Sequence, residues 1–132
     1  MRDQPLSALR WIALALLVSA YVQGGLDKAL DFSGAVGEMR RFGLEPAAPL
    51  ALAVIALELG ASLLILAGRL RWLGALALAA FTLAATFVAS RFWSAPPADR
   101  FMLESGFFEH LGLVGGFLLV AWVDRNESRI AG

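Results

Sequence analysis

One acidic residue stands inside a long apolar stretch of the sequence, and it is the first candidate for chemistry. Glu58 lies in LAVIALELGASLL, near the midpoint of about twenty mostly apolar residues. A carboxylate at the centre of a bilayer costs about 3 to more than 10 kcal/mol, so it must face protein and be paired or protonated. Such a residue is a functional candidate by default, and the competing interpretation is a structural hydrogen bond between helices.

The single histidine, His110, opens the last apolar stretch and is a second candidate for acid–base chemistry, because imidazole titrates near neutral pH. A lone histidine at a helix start is also a common interfacial residue, so both interpretations stay open. One histidine with scattered carboxylates lacks the spacing of a metal site, and no metal is predicted. The sequence contains no cysteine, which excludes thiolate and disulfide chemistry within the chain.

Other polar side chains near the ends of the apolar stretches are candidates to contact Glu58. They are Gln23, Lys28, Thr86, Ser90, Arg91, Glu109 and His110. A rise of 1.5 Å per residue puts Glu58 about 15 Å from the start of its helix, so contact would need long side chains, water or a bound polar group. Thr82, Thr86 and Ser90 recur every four residues, which predicts either hydroxyls bonded to backbone carbonyls or the lining of a cavity shared with Glu58.

Four apolar stretches must position these residues. Hydrophobic residues make up 59% of the 132 residues and the mean hydropathy is +0.71, whereas soluble domains contain about 45–50% apolar residues. Each stretch is close to the ~20 residues that a helix needs to cross a bilayer. The predicted spans are residues 6–30, 47–67, 72–92 and 107–123. We predict an all-α polytopic membrane protein, one domain over residues 1–132, built as an antiparallel bundle of four transmembrane helices.

The connections between the spans differ in character. Residues 31–46 are amphipathic and predict a helix lying along the membrane interface. Its apolar positions at helical spacing are Ala35, Val36, Met39 and Phe42. The basic sequence GRLR at residues 68–71 predicts a tight turn, and residues 94–100 predict a loop interrupted by proline.

Basic residues near the span ends favour an orientation with both termini in the cytoplasm. The cytoplasmic basic residues are then Arg2, Arg10, Arg69, Arg71, Arg125 and Arg129. The outer ones are Lys28, Arg40, Arg41, Arg91 and Arg100. The difference between the two sides is small, but the purely basic turn at residues 69–71 supports the same orientation. This orientation places residues 31–46 and 94–104 outside. A net charge of zero gives no attraction to nucleic acid, so no such partner is predicted.

Short motifs follow one another along the chain in a specific order. They are Arg10 at the first span, GGLDK at 24–28, FGLEP at 42–46, ELG at 58–60, GR at 68–69 and FEHL at 108–111. Their order and spacing resemble the DoxX-like family of small four-helix bacterial membrane proteins over nearly the whole chain. The resemblance implies a bacterial inner (plasma) membrane location, with Lys28, Glu58 and His110 as positions of interest. Relatives in that family resemble subunits of quinone-linked or thiol-redox complexes, and distant ones resemble assembly chaperones.

Two functions stay open. In the first, the chain is a membrane subunit of a redox-associated complex that binds a quinone or another lipid-soluble molecule in a polar cavity of the outer leaflet. The ligand-binding residues would be Gln23, Lys28, Glu58, Thr86, Arg91 and His110. Glu58 and His110 are the candidates for proton transfer. No cofactor is predicted within the chain, so a protein partner would supply electrons.

The second function is that of a non-enzymatic assembly protein, chaperone or lipid-binding protein. There Glu58 is a structural residue and the amphipathic segment at residues 31–46 docks a partner. In both cases the lipid bilayer surrounds the protein, and a second copy of the chain is a further candidate partner.

Overall fold

A computed structural model describes residues 4–131, and over that range the chain is helical with no strand. The helices are α1 (Gln4–Leu30), α2 (Phe32–Arg41), α3 (Ala47–Ala67), α4 (Arg71–Ala89) and α5 (Pro97–Ala131), with a 3₁₀ turn at Phe92–Ser94. Four of them, α1, α3, α4 and α5, are long and apolar enough to cross a membrane, which confirms the predicted fold class. Arg2, counted above among the basic residues, lies outside the described residues.

The four long helices surround one core. α1 packs against α3, α3 against α4, and α4 against α5, whereas α1 and α5 meet through side chains such as Tyr21 and Phe117, whose ring centroids are 5.3 Å apart. Each helix contributes a fully buried side chain to the core: Val18, Ile65, Leu78 and Phe117. Large apolar side chains also cover the outer surface, among them Leu16, Leu52, Leu63 and Leu119. An apolar exterior of this extent is suited to lipid rather than water.

Residues 32–41 form the predicted helix, and three of the four predicted apolar positions contact protein, whereas Phe42 follows the helix and is exposed. Ala35, Val36 and Met39 of α2 are buried together with Ala47 and Ala51 in the first two turns of α3. α2 therefore covers the start of α3, and α1 packs against α3 further along.

The last helix is much longer than predicted. α5 begins at Pro97, ten residues before the predicted start, so the prediction of a loop through residue 100 is wrong. Proline is well tolerated at the first position of a helix, because the N–H that it lacks would be unpaired there anyway. With 35 residues, α5 is about 52 Å long and exceeds the ~30 Å hydrocarbon core.

Two glycines set the closest approaches between helices. A Cβ at Gly25 of α1 would lie 2.7 Å from the Leu59 side chain of α3. A Cβ at Gly74 of α4 would lie 2.7 Å from the carbonyl oxygen of Ala61. Small residues at such positions allow helix backbones to pack closely in a membrane, where packing contributes strongly to association.

Candidate functional site

The carboxylate of Glu58 is buried inside the bundle and paired with a lysine of α1. The Nζ atom of Lys28 donates a hydrogen bond to Oε1 of Glu58 at 3.0 Å. The exposed fraction of the side chain is 7% for Glu58 and 22% for Lys28. These contacts confirm that Glu58 faces the protein interior and is satisfied by a hydrogen bond from another helix.

Lys28 can contact Glu58 directly because Glu58 is level with the last turns of α1. A Cβ at Gly24 would lie 3.3 Å from Oε2 of Glu58, and Gly24 is only about 9 Å from the end of α1 at Leu30. Glu58 itself lies about 17 Å from the start of α3, but the first turns of α3 are covered by α2. Lys28, one turn beyond Gly24, therefore reaches the carboxylate with its long side chain, which is one of the three kinds of contact expected from the depth of Glu58.

A cavity of 210 Å³ lies beside the ion pair, and all four spans contribute to its lining. Its polar lining residues are Tyr21, Glu58, Thr82, Thr86 and His110. The apolar ones are Ala20, Phe81, Ala85, Ala89 and Leu113. Three of the predicted ligand-binding residues, Glu58, Thr86 and His110, thus come together around one space.

The threonine stripe of α4 fits both of the interpretations drawn from the sequence. Thr86 Oγ1 donates to the carbonyl oxygen of Thr82 at 2.6 Å, and both threonines line the cavity. The hydroxyl of Thr82 is also hydrogen-bonded to that of Tyr21, with 2.5 Å between the oxygens. Ser90, the third member of the stripe, is buried but does not line the cavity.

Two buried polar atoms have no hydrogen-bond partner among the described residues: Nδ1 of His110 and Oγ of Ser62. Buried polar groups are nearly always paired, so an unpaired ring nitrogen on a residue that lines a cavity favours a ligand or water there. Within residues 4–131, no three histidine, aspartate or glutamate side chains are arranged to hold a metal ion.

The structure does not bring Gln23 and Arg91 to the cavity. Gln23 is exposed and donates to Asp27 one turn along α1. Residues two apart on a helix do not share a face, so Gln23 points away when Tyr21 points inward. Arg91 lies beyond the end of α4, is exposed and donates through Nε to the carbonyl of Phe87 at 2.8 Å.

Tyr21, the chain's single tyrosine, is a site residue that was not among those predicted from the sequence. It is buried, hydrogen-bonded to Thr82 and part of the cavity lining. Tyrosines of membrane proteins are concentrated at the interfaces, and a buried one normally finds a partner for its hydroxyl. Its position seven residues before Lys28, on the same face of α1, was the available signal.

Comparison with known proteins identifies a family to which the sequence is similar. The sequence model of the DoxX family matches residues 8–91, which contain most of α1 and all of α2, α3 and α4. The matched region holds Tyr21, Lys28, Glu58 and both cavity threonines, whereas His110 lies beyond it. No curated protein and no solved structure matches the chain. Because the family match covers well over half of the sequence, the chain belongs to the DoxX family of membrane proteins.

Proposed function

We propose that this DoxX-family chain is a membrane subunit of a redox-associated complex. It binds a quinone, or a lipid-soluble molecule of similar chemistry, in the cavity between its four spans. One observation carries the proposal: polar side chains from all four spans converge on a single 210 Å³ space in a mostly apolar bundle. Buried polar groups are stable when hydrogen-bonded, so their convergence on open space favours a ligand that brings oxygen atoms of its own.

The lining supplies hydrogen-bond donors of the kind that carbonyl oxygens need. Nδ1 of His110 has no partner among the described residues, so in the tautomer that carries hydrogen on Nδ1 it can donate to a ligand. Tyr21 and Thr82 share one hydrogen between their hydroxyl oxygens, which leaves the second hydroxyl hydrogen for another acceptor. Phe81 and Leu113 provide apolar surface for the face of a ring.

The size of the cavity suits a head group rather than a whole lipid-soluble molecule. Pockets for drug-sized ligands have volumes of about 300–1,000 Å³, and this cavity is smaller. Ala20 lines the cavity and is also exposed on the outer surface of the bundle. An apolar tail would therefore leave beside Ala20 toward lipid, while the ring stays among the polar side chains.

A partner would have to supply the electrons. The chain has no cysteine and one histidine, so it cannot ligate an iron–sulfur cluster or a bis-histidine haem by itself. We place the complex in a bacterial inner membrane, with both termini in the cytoplasm and the cavity toward the outer side. The alternative, an assembly protein that docks its partner through α2, is less well supported, because the apolar face of α2 is already buried against α3.

Equilibrium binding of radiolabelled decylubiquinone to the protein in lipid nanodiscs tests the proposal, with empty nanodiscs as the blank. We expect saturable binding that His110→Phe weakens about tenfold, the effect of one lost hydrogen bond of about 1.4 kcal/mol. Glu58→Gln should keep most of the binding, because the amide retains the size and hydrogen-bonding capacity of the carboxyl group. Arg91→Gln is the matched control, since Arg91 lies away from the cavity. Absence of saturable binding to the wild-type protein would contradict the proposal.

A further inference from the structure

A second space, more polar than the cavity, lies between α1 and α2. This cleft has a volume of 350 Å³, and its charged lining residues are Asp27, Lys28, Asp31, Glu38 and Arg41. Three carboxylates against two cations give it an acidic character, which raises the local concentration of protons and other cations. Asp27, Asp31 and Arg41 are exposed, so the cleft is open on the side of the bundle that carries α2.

The Lys28–Glu58 pair stands between the cleft and the cavity. Lys28 lines the cleft, Glu58 lines the cavity, and 3.0 Å separates Nζ from Oε1. Gly24 also lines the cleft and leaves room beside the pair. A Cβ at this position would lie 3.3 Å from Oε2 of Glu58 and 3.4 Å from Nζ of Lys28. One ion pair thus connects a polar space with the interior of the bundle.

We propose that the Lys28–Glu58 pair transfers protons from the cleft between α1 and α2 to the ligand in the cavity. This inference rests on the proposed function and adds to it the route and the direction of proton entry. Protons reach the cavity from the side of the membrane that carries α2.

The transfer leaves no net charge inside the bundle. An Nζ–H bond of the Lys28 ammonium group breaks and an O–H bond forms at Oε1 of Glu58, so that a neutral amine lies beside a neutral carboxylic acid. The amine then takes a proton from a hydronium ion in the cleft, which becomes water. The carboxylic acid gives its proton to an oxygen of a quinone that takes electrons from the reduced redox centre of the partner protein, and the ion pair is restored. Two such cycles, with two electrons from the partner, convert the quinone to the quinol.

The other titratable groups around Glu58 come from three helices. They are Tyr21 on α1, Glu38 on α2 and His110 on α5, whereas α4 presents the uncharged Thr82 and Thr86. Of the described residues, only Lys28 forms an ion pair with Glu58. Lys28 is therefore the group that connects the Glu58 carboxylate to the cleft.

Chemical labelling of Glu58 in sealed vesicles tests the direction of proton entry without any substitution. Dicyclohexylcarbodiimide is lipid-soluble and reacts with protonated carboxyl groups, and mass spectrometry of the peptide that contains Glu58 gives the rate. The pH is varied on one side of the vesicle at a time, in vesicles of uniform orientation. We expect the rate to rise about tenfold per pH unit lowered on the α2 side, as the protonated fraction does, and to stay constant when the other side is acidified.

Substitutions distinguish the effect of the Lys28–Glu58 pair on the labelling rate from the effect of the rest of the bundle. Lys28→Met removes the cation, and an unpaired carboxyl at this depth takes up a proton, so labelling should become fast and independent of pH on both sides. Gly24→Val fills the space beside the pair and should reduce the response to pH on the α2 side. Gly60→Val is the matched control, because a Cβ at Gly60 meets nothing within 4 Å. Glu58→Gln provides the unlabelled reference.

Two outcomes would overturn the inference: a labelling rate that follows the pH on the side opposite α2, and a rate that follows neither side in the wild-type protein. If the proposed function is wrong, the labelling experiment gives a different result. In that case decylubiquinone does not bind and does not protect Glu58 from the reagent, while the dependence on pH at the α2 side persists.

Discussion

The ammonium nitrogen of Lys28 lies 3.0 Å from a carboxylate oxygen of Glu58, thirty residues further along the chain. The two partners are unequally buried, with 22% of the lysine side chain exposed and 7% of the glutamate side chain. A lysine can extend its charge outward along an apolar stem, whereas the shorter glutamate has no such route. Loss of the cation should therefore cost more than loss of the anion.

We expect Lys28→Met to lower the free energy of unfolding by about 2–3 kcal/mol, below the ~3–5 kcal/mol found when a fully buried pair loses one partner. Glu58→Gln should cost less than about 1 kcal/mol, because the amide oxygen still accepts a hydrogen bond from Lys28. Unfolding by sodium dodecyl sulfate in mixed micelles measures both. The control is Arg10→Gln at the exposed Arg10–Glu127 pair, which should change stability by less than about 1 kcal/mol. Equal effects of Lys28→Met and Glu58→Gln would show that the asymmetry in burial has no energetic consequence.

The orientation in the membrane can be tested with single cysteines, because the chain has none of its own. Ser33 is exposed on α2, and Asn126 is exposed near the end of α5. Arg10 near the start of α1 contacts Glu127, which places the end of α5 at the opposite end of the bundle from α2. In intact cells an impermeant maleimide should label Ser33→Cys but reach Asn126→Cys only after permeabilisation. Labelling of both in intact cells would refute this orientation.

The positions of the spans could be predicted where the sequence marks both helix ends. α3 runs from Ala47 to Ala67 as predicted, because Pro46 precedes it and Gly68 ends it with a φ of 79°, a conformation that favours glycine. The start of α5 could not be predicted this way. Proline again stands at the start of the helix, at Pro97, but proline is equally typical of a loop.

The composition of the candidate site was only partly visible in the sequence. A charge within an apolar stretch identified Glu58, and burial then required a partner. The face of α1 distinguishes Lys28 from Gln23, but the level at which α1 meets Glu58 depends on how α3 is aligned with α1, and the first turns of α3 are covered by α2. A tertiary contact of this kind has no signature in the periodicity of either helix.

The hydrogen bond between Tyr21 and Thr82 should couple α1 to α4. Tyr21→Phe keeps the edge-to-face contact with Phe117 but leaves the Thr82 hydroxyl without this partner. We expect a loss of about 1 kcal/mol in the free energy of unfolding. In a Thr82→Val background the same change should cost close to nothing, because the bond is already absent. A cost that is equal in both backgrounds would mean that the loss arises from packing.

The close helix contacts at Gly25 and Gly74 should differ in their tolerance of a methyl group. At Gly25 an added Cβ meets the side chain of Leu59, which can change rotamer. At Gly74 it meets the backbone oxygen of Ala61, which can move only if α3 and α4 separate. Overpacking typically costs about 1–3 kcal/mol, so we expect Gly74→Ala at the upper end of this range and Gly25→Ala at the lower end.

Gly60→Ala serves as the control for the two glycine substitutions, because a Cβ at Gly60 meets nothing within 4 Å. Alanine favours helix over glycine by up to about 1 kcal/mol, so this change should be neutral or stabilising. The thermal unfolding temperature of each variant in one detergent should therefore rise in the order Gly74→Ala, Gly25→Ala, Gly60→Ala. If Gly74→Ala unfolds at the same temperature as Gly60→Ala, the backbones of α3 and α4 are not held together at this contact as tightly as the structure indicates.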